Sequence, residues 1–191
     1  MNPKDYKIIS PLTEIELDKL HIRYIPMAHL ENWYEAKDGY NMMSLVNSPH
    51  VSLMGIFKDY GLDWKRIKRT RYWEERLYRI LTQSKWTMDK LKFHIKKRWK
   101  TFKSIKKHGF VQEKAKDKSG RDTSILVTKE PFWHSRFGVK FDGIGGYEVQ
   151  NGMGRASAMY ALGYNTIPGM FVEDTAPGSK KWKNVTKRFK K

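Results

Sequence analysis

Gly146-Tyr-Glu-Val-Gln-Asn-Gly-Met-Gly-Arg-Ala-Ser-Ala-Met-Tyr-Ala-Leu-Gly163, followed by Tyr164-Asn-Thr-Ile-Pro-Gly-Met-Phe-Val172, reads as strand, tight turn, helix and strand. Tyr147 to Gln150 alternate apolar and polar residues, with aromatic and β-branched side chains, as a half-buried strand does. Asn151-Gly152 breaks the strand. Arg155 to Leu162 are rich in helix formers, and Gly163 stands where a helix ends in a left-handed residue. Ile167 to Val172 return as a second strand. The turn carries the chemistry. Gly152 and Gly154 let backbone approach a ligand, and the first N–H groups of the helix point back at the turn with the positive end of its dipole. Arg155, in the first turn, adds a bidentate grip for phosphate or carboxylate. Two readings stand side by side: an anion site, above all for phosphate, and a plain strand-to-helix turn with packing glycines and a surface arginine.

The same residues resemble the ParB/sulfiredoxin-like superfamily, whose best-known label is the ParB-like nuclease domain. Its hallmark is matched by Gly152-Met-Gly-Arg155, the small-residue helix Ala156 to Ala161, Leu162-Gly163 and Ile167-Pro168. Ile22-Arg-Tyr-Ile-Pro-Met-Ala-His-Leu30 resembles the family's first strand, and Phe102-Lys-Ser-Ile-Lys-Lys-His-Gly-Phe-Val-Gln112 the step before its second. The matching stretches keep the family's order, as in a phage- or plasmid-type member. The resemblance implies an α+β fold: a small mixed β-sheet with helices. It implies that Asn151, Gly152, Met153, Gly154 and Arg155 hold nucleotide phosphates, with ATP or CTP and Mg²⁺ as candidate cofactors. It names Arg155 as a catalytic candidate. Glu113, just after the Gly109-Phe-Val-Gln step, is the other, because that position falls near the turn. The chain departs from the pattern at Asn151, where the family often has Asp or Glu, and at Gly154, where it often has His or Arg. A sulfiredoxin needs a Cys in this turn; the chain has none, which excludes that reaction.

Composition bounds the partners. A length of 191 residues fits one domain, or one domain with an elaboration. Without Cys there is no disulfide, Cys-zinc site or thiol nucleophile, which suits a cytoplasmic protein. No apolar run reaches a membrane span, so no membrane partner is expected. The net charge is +18 and unevenly placed. Residues 64–107 hold 17 Lys/Arg against 3 Asp/Glu, and residues 180–191 hold 7 Lys/Arg and no acid, so the remainder is slightly acidic. This asymmetry points to a polyanion, DNA above all; the alternative is a solvated basic face.

In chain order, 1–36 reads as an N-terminal arm and the first strand. The arm carries a short helix near Thr13 to Leu20, where Thr13-Glu-Ile-Glu16 looks like part of a capping box. Residues 37–98 read as a mostly helical basic insertion. Pro49 to Tyr60 is a helix ended by Gly61, Trp64 to Gln83 a second, and Thr87 to Lys107 a third, capped by Ser84 or Thr87. In the third, Met88, Leu91, Ile95, Trp99, Phe102 and Ile105 form one helical stripe. Its other faces carry Lys92, Lys96, Lys97, Lys100 and Lys103, the candidate nucleic-acid contacts. Residues 99–176 form the ParB-like core and 177–191 a basic tail in which Trp182 and Phe189 interleave with lysines. Asp142, His134 and Glu148 read as surface polar residues before catalysts, and no metal set is visible in the spacing of His21, His29 and His50. The function expected is a phosphate- or nucleotide-binding protein acting on DNA, as a nuclease, an NTPase or a phosphotransferase. The competing class is a non-catalytic DNA-binding or partition-like factor. Nucleotide, specificity and oligomeric state stay open.

Overall fold

The computed structural model describes residues 6–8, 10, 13–24, 41–82, 87–111, 125–128 and 146–174. Among the described residues seven strands form one mixed sheet: β1 (Tyr6–Ile8), β2 (Thr13–Glu16), β3 (Leu20–Tyr24), β4 (Asn41–Ser44), β5 (Ile125–Thr128), β6 (Tyr147–Asn151) and β7 (Thr166–Asp174). The order is β1-β7-β5-β6-β3-β4, with β2 also beside β7. β1 and β2 pair antiparallel with successive parts of β7, like one interrupted edge strand. In the interruption, Phe171 N–H donates to Ser10 Oγ at 2.9 Å. β5 runs parallel to β7 and antiparallel to β6, and β6 runs parallel to β3. The mixed α+β architecture expected from sequence is therefore present.

Among the described residues five α-helices accompany the sheet: α1 (Pro49–Tyr60), α2 (Trp64–Ile67), α3 (Arg71–Thr82), α4 (Met88–His108) and α5 (Met153–Ala161). Their ends have local causes. Ser48 Oγ accepts from Val51 N–H at 3.3 Å ahead of Pro49, and Gly61 closes α1 at φ 68°. Thr87 Oγ1 accepts from Lys90 N–H at 3.2 Å, and Gly109 closes α4 at φ 69°. The α4 stripe is as its periodicity requires: Leu91, Ile95, Phe102 and Ile105 are buried, while Met88 and Trp99 pack at the margin. One hydrophobic cluster joins Ile15, Leu20 and Ile22, the helical Leu53, Phe57 and Phe102, and Ile125, Val149 and Ile167. Phe57 of α1 meets Trp99 and Phe102 of α4 at ring-centroid distances of 5.3 and 5.9 Å.

Two expectations are corrected. Thr13 to Leu20 is not helical: Thr13–Glu16 is strand β2, paired Thr13 to Gly169 and Ile15 to Ile167. Ile15 and Leu17 are buried while Glu14 and Glu16 are exposed, a period of two. The edge of β7 offers a full ladder, which outweighs a four-residue capping signal. Trp64 to Gln83 is not one helix either; it breaks between Ile67 and Arg71. Thr70, buried at the break, donates its hydroxyl to Ile67 O at 2.7 Å and accepts from Trp73 N–H at 3.2 Å. A threonine serving both neighbours this way ends one helix and caps the next.

Candidate anion-binding site

The turn between β6 and α5 is built on Gly152, which sits at φ 87°, ψ 7°. A Cβ there would collide with the Ile125 side chain and stand 3.1 Å from Ile125 Cα, so no side chain fits. With glycine at the cap, the cap residue offers no side-chain acceptor to the first amides of α5. Those of Met153 and Gly154 have no intrahelical acceptor. Arg155 and Ala156 N–H both donate to Gly152 O, at 2.8 and 3.0 Å. The buried Ala156, Ala158 and Met159 hold α5 in place, and the helix packs against α1 and α4.

Around this turn lies a cavity of about 370 Å³. Asn151 to Arg155 form one wall; α4 supplies His94, Lys97, Arg98 and Thr101, α3 supplies Arg76 and α1 supplies His50. Four cations from α3, α4 and α5 (Arg76, Lys97, Arg98 and Arg155) converge on the positive end of the α5 dipole, and the described lining includes no Asp or Glu. Tyr72, 2% exposed, organises two of the cations. Arg98 Nε donates to its hydroxyl oxygen at 2.9 Å, and the guanidinium carbons of Arg76 and Arg98 stand 5.3 and 5.5 Å from its ring centroid. His50 packs edge-on against the same ring at 5.1 Å.

Arg98 also explains Gly154. Its guanidinium lies where a Cβ on Gly154 would stand, so the missing side chain on α5 makes room for a cation delivered by α4. Gly154→Ala is expected to displace Arg98 and weaken anion binding about tenfold, the loss of one charge-assisted hydrogen bond. The fold should hold, since the displaced group is the flexible end of a side chain and alanine favours helix by about 1 kcal/mol. Calorimetric titration with pyrophosphate beside thermal melts checks both halves.

His94 is held below its ordinary pKa of 6.5, first by burial and then by Arg98, Arg76, Lys97 and Lys90. Arg155 and His50 line the same cavity from α5 and α1. Folding thus disfavours His94 protonation, and its contribution to stability, present above about pH 6.5, is lost as pH falls below that value. A bound anion acts in the opposite direction. Affinity for sulfate, which does not titrate here, is expected to rise as pH drops through this range. His94→Gln should flatten that profile, measured by titration at constant ionic strength.

Asn151, Gly152, Met153, Gly154, Arg155 and Lys97 all line the cavity. Lys92, Lys96, Lys100 and Lys103 are exposed on other faces of α4, with Lys103 Nζ 5.4 Å from the Trp99 ring centroid. Glu113, Asp142, His134, His29 and the tail 177–191 lie outside the described residues. Glu148 is not a surface residue: it is 1% exposed on β6, in register with the buried His21 of β3. Strand alternation gives the face a residue takes but not whether that face is covered. Arg76, His94, Arg98 and His50 were not singled out as site residues from sequence. Comparison with protein-family models, with curated proteins and with solved structures gave no match. Among the described residues no helix is long and apolar enough to cross a membrane.

Proposed function

We propose that this cavity binds a phosphate group and that the chain is a ParB-like phosphate- or nucleotide-binding protein, cytoplasmic, working on DNA. The observation that carries the reading is the convergence of Arg76, Lys97, Arg98 and Arg155 on the N-terminus of α5, in a lining without described carboxylates. Helix amides and a planar guanidinium suit the tetrahedral oxygens of phosphate, and a neighbouring Lys adds charge without demanding geometry. The cavity volume lies at the lower end of the range for small-molecule sites, about 300–1,000 Å³. The cations act on the phosphate directly, and no step is assigned to a metal.

Passive binding is the better supported form. Turnover as a nuclease, NTPase or phosphotransferase is the second reading, and the place of His94 favours it: its imidazole lines the cavity, where it can exchange a proton with a nucleophile or leaving group at a bound phosphate. Thermal melts with pyrophosphate, ATP, CTP and GTP test the binding claim. A ligand at 100 times its dissociation constant adds about 2.7 kcal/mol. No shift with any of them, at constant ionic strength, would sink the phosphate reading. For DNA, neutralising Lys96, Lys97 and Lys100 together should weaken binding regardless of sequence and lower the salt slope by about 2–3. An unchanged slope removes this helix from the DNA interface.

A further inference from the structure

Phe93 has no role in the core. It is 64% exposed on α4, while the neighbouring helical stripe of Leu91, Ile95 and Phe102 is buried. Its ring packs edge-on against that of His94, with centroids 5.9 Å apart, and His94 lines the cavity. Lys90, Lys96, Lys97 and Lys100, all exposed, lie within two turns on the same side of the helix or beside it. An exposed aromatic ring among lysines, touching the rim of a cationic cavity, is a surface for a base whose phosphate is held inside. The cavity is walled from α1, α3, α4, α5 and the end of β6. A terminal phosphomonoester brings up to two negative charges to four cations, against one for an internal diester.

Resting on the phosphate reading of the cavity, we propose that its ligand is the phosphorylated end of single-stranded DNA, with the phosphate between Arg98 and Arg155 and the adjoining base stacked on Phe93. Charge complementarity selects this occupant over a protein partner: the ring is ringed by lysines, which an apolar protein surface would have to desolvate.

The test is fluorescence anisotropy with the full chain and short oligothymidylates labelled at the far end. The arms carry 5′-phosphate, 3′-phosphate or hydroxyl ends, with a blunt duplex for comparison. A phosphorylated end should bind about tenfold or more tighter than a hydroxyl end, and the better of the two phosphate arms assigns the polarity. Phe93→Ala should lose about tenfold or more on that single strand and nothing on the duplex, with Phe93→Trp restoring it. Pyrophosphate affinity should not change in either variant. Equal binding of phosphorylated and hydroxyl ends, or a Phe93→Ala protein as tight as the parent, overturns this proposal while leaving the anion site standing if pyrophosphate still binds. If the parent protein fails to bind pyrophosphate, the cavity reading fails and this proposal with it.

Discussion

Arg155→Ala is expected to weaken pyrophosphate binding by about a hundredfold or more, because it removes the one guanidinium that belongs to the turn itself. Arg155 lines the cavity in the first turn of α5, where its charge adds to the helix dipole and to amides that have no intrahelical acceptor. Arg155→Lys should recover only part of the loss, since a point charge on a flexible stem cannot reproduce the planar two-point grip. Arg98→Ala should fall between wild type and Arg155→Ala, and the double variant should show no measurable binding. Calorimetric titration reads the affinities, and thermal melts without ligand show whether the fold is intact. An Arg155→Ala protein with parental affinity would move the anion elsewhere.

Phe57→Ala should cost about 3–5 kcal/mol of stability. Phe57 is 1% exposed, its ring lies between α1 and α4, and it meets both Trp99 and Phe102. For a chain of this size the melting point should fall by about 2–4 °C for each kcal/mol. The effect should also reach the cavity, since α1 carries His50 and α4 carries His94, Lys97 and Arg98. Denaturant titration measures the loss; if Phe57→Ala does not fold, Phe57→Leu should give a smaller loss of the same sign. Leu81→Ala is the internal comparison: at 77% exposure it should stay within about 0.5 kcal/mol of the parent. Equal losses at both sites would contradict the placement of the core.

The sequence was most informative where the signal is local. Alternation over Tyr147 to Gln150, the glycines of the turn and the small residues after it lead to β6, α5 and β7 without any long-range information. The stripe from Met88 to Ile105 places α4, and Thr87 its start. Pairing was not legible in this way. Thr13 to Glu16 carried a strand alternation and a capping signal together, and only the edge of β7 decides between them.

The site divides along the same line. Arg155 and the glycines could be found because they share the turn, and Lys97 because it belongs to a dense basic helix. Arg98 and Arg76 were two among 38 Lys/Arg, and nothing local separates an arginine aimed at a distant turn from a solvated one. One signal did exist. His94, Lys97, Arg98 and Thr101 recur at three and four residues along a face adjoining the buried stripe of α4, where a helix meets its neighbours. The glycine at position 154 looked like a lost basic residue; in space, a cation from α4 fills that place.

The most direct test of the anion site is amide hydrogen exchange across the chain with and without saturating pyrophosphate. Slowed exchange is expected at the Met153 and Gly154 amides, which have no intrahelical acceptor and to which a bound anion supplies one from outside the helix. Smaller protection should follow along the cavity face of α4 from His94 to Thr101. Unchanged exchange at Met153 and Gly154, with pyrophosphate bound or protection centred elsewhere, would show that the anion does not sit at the start of α5.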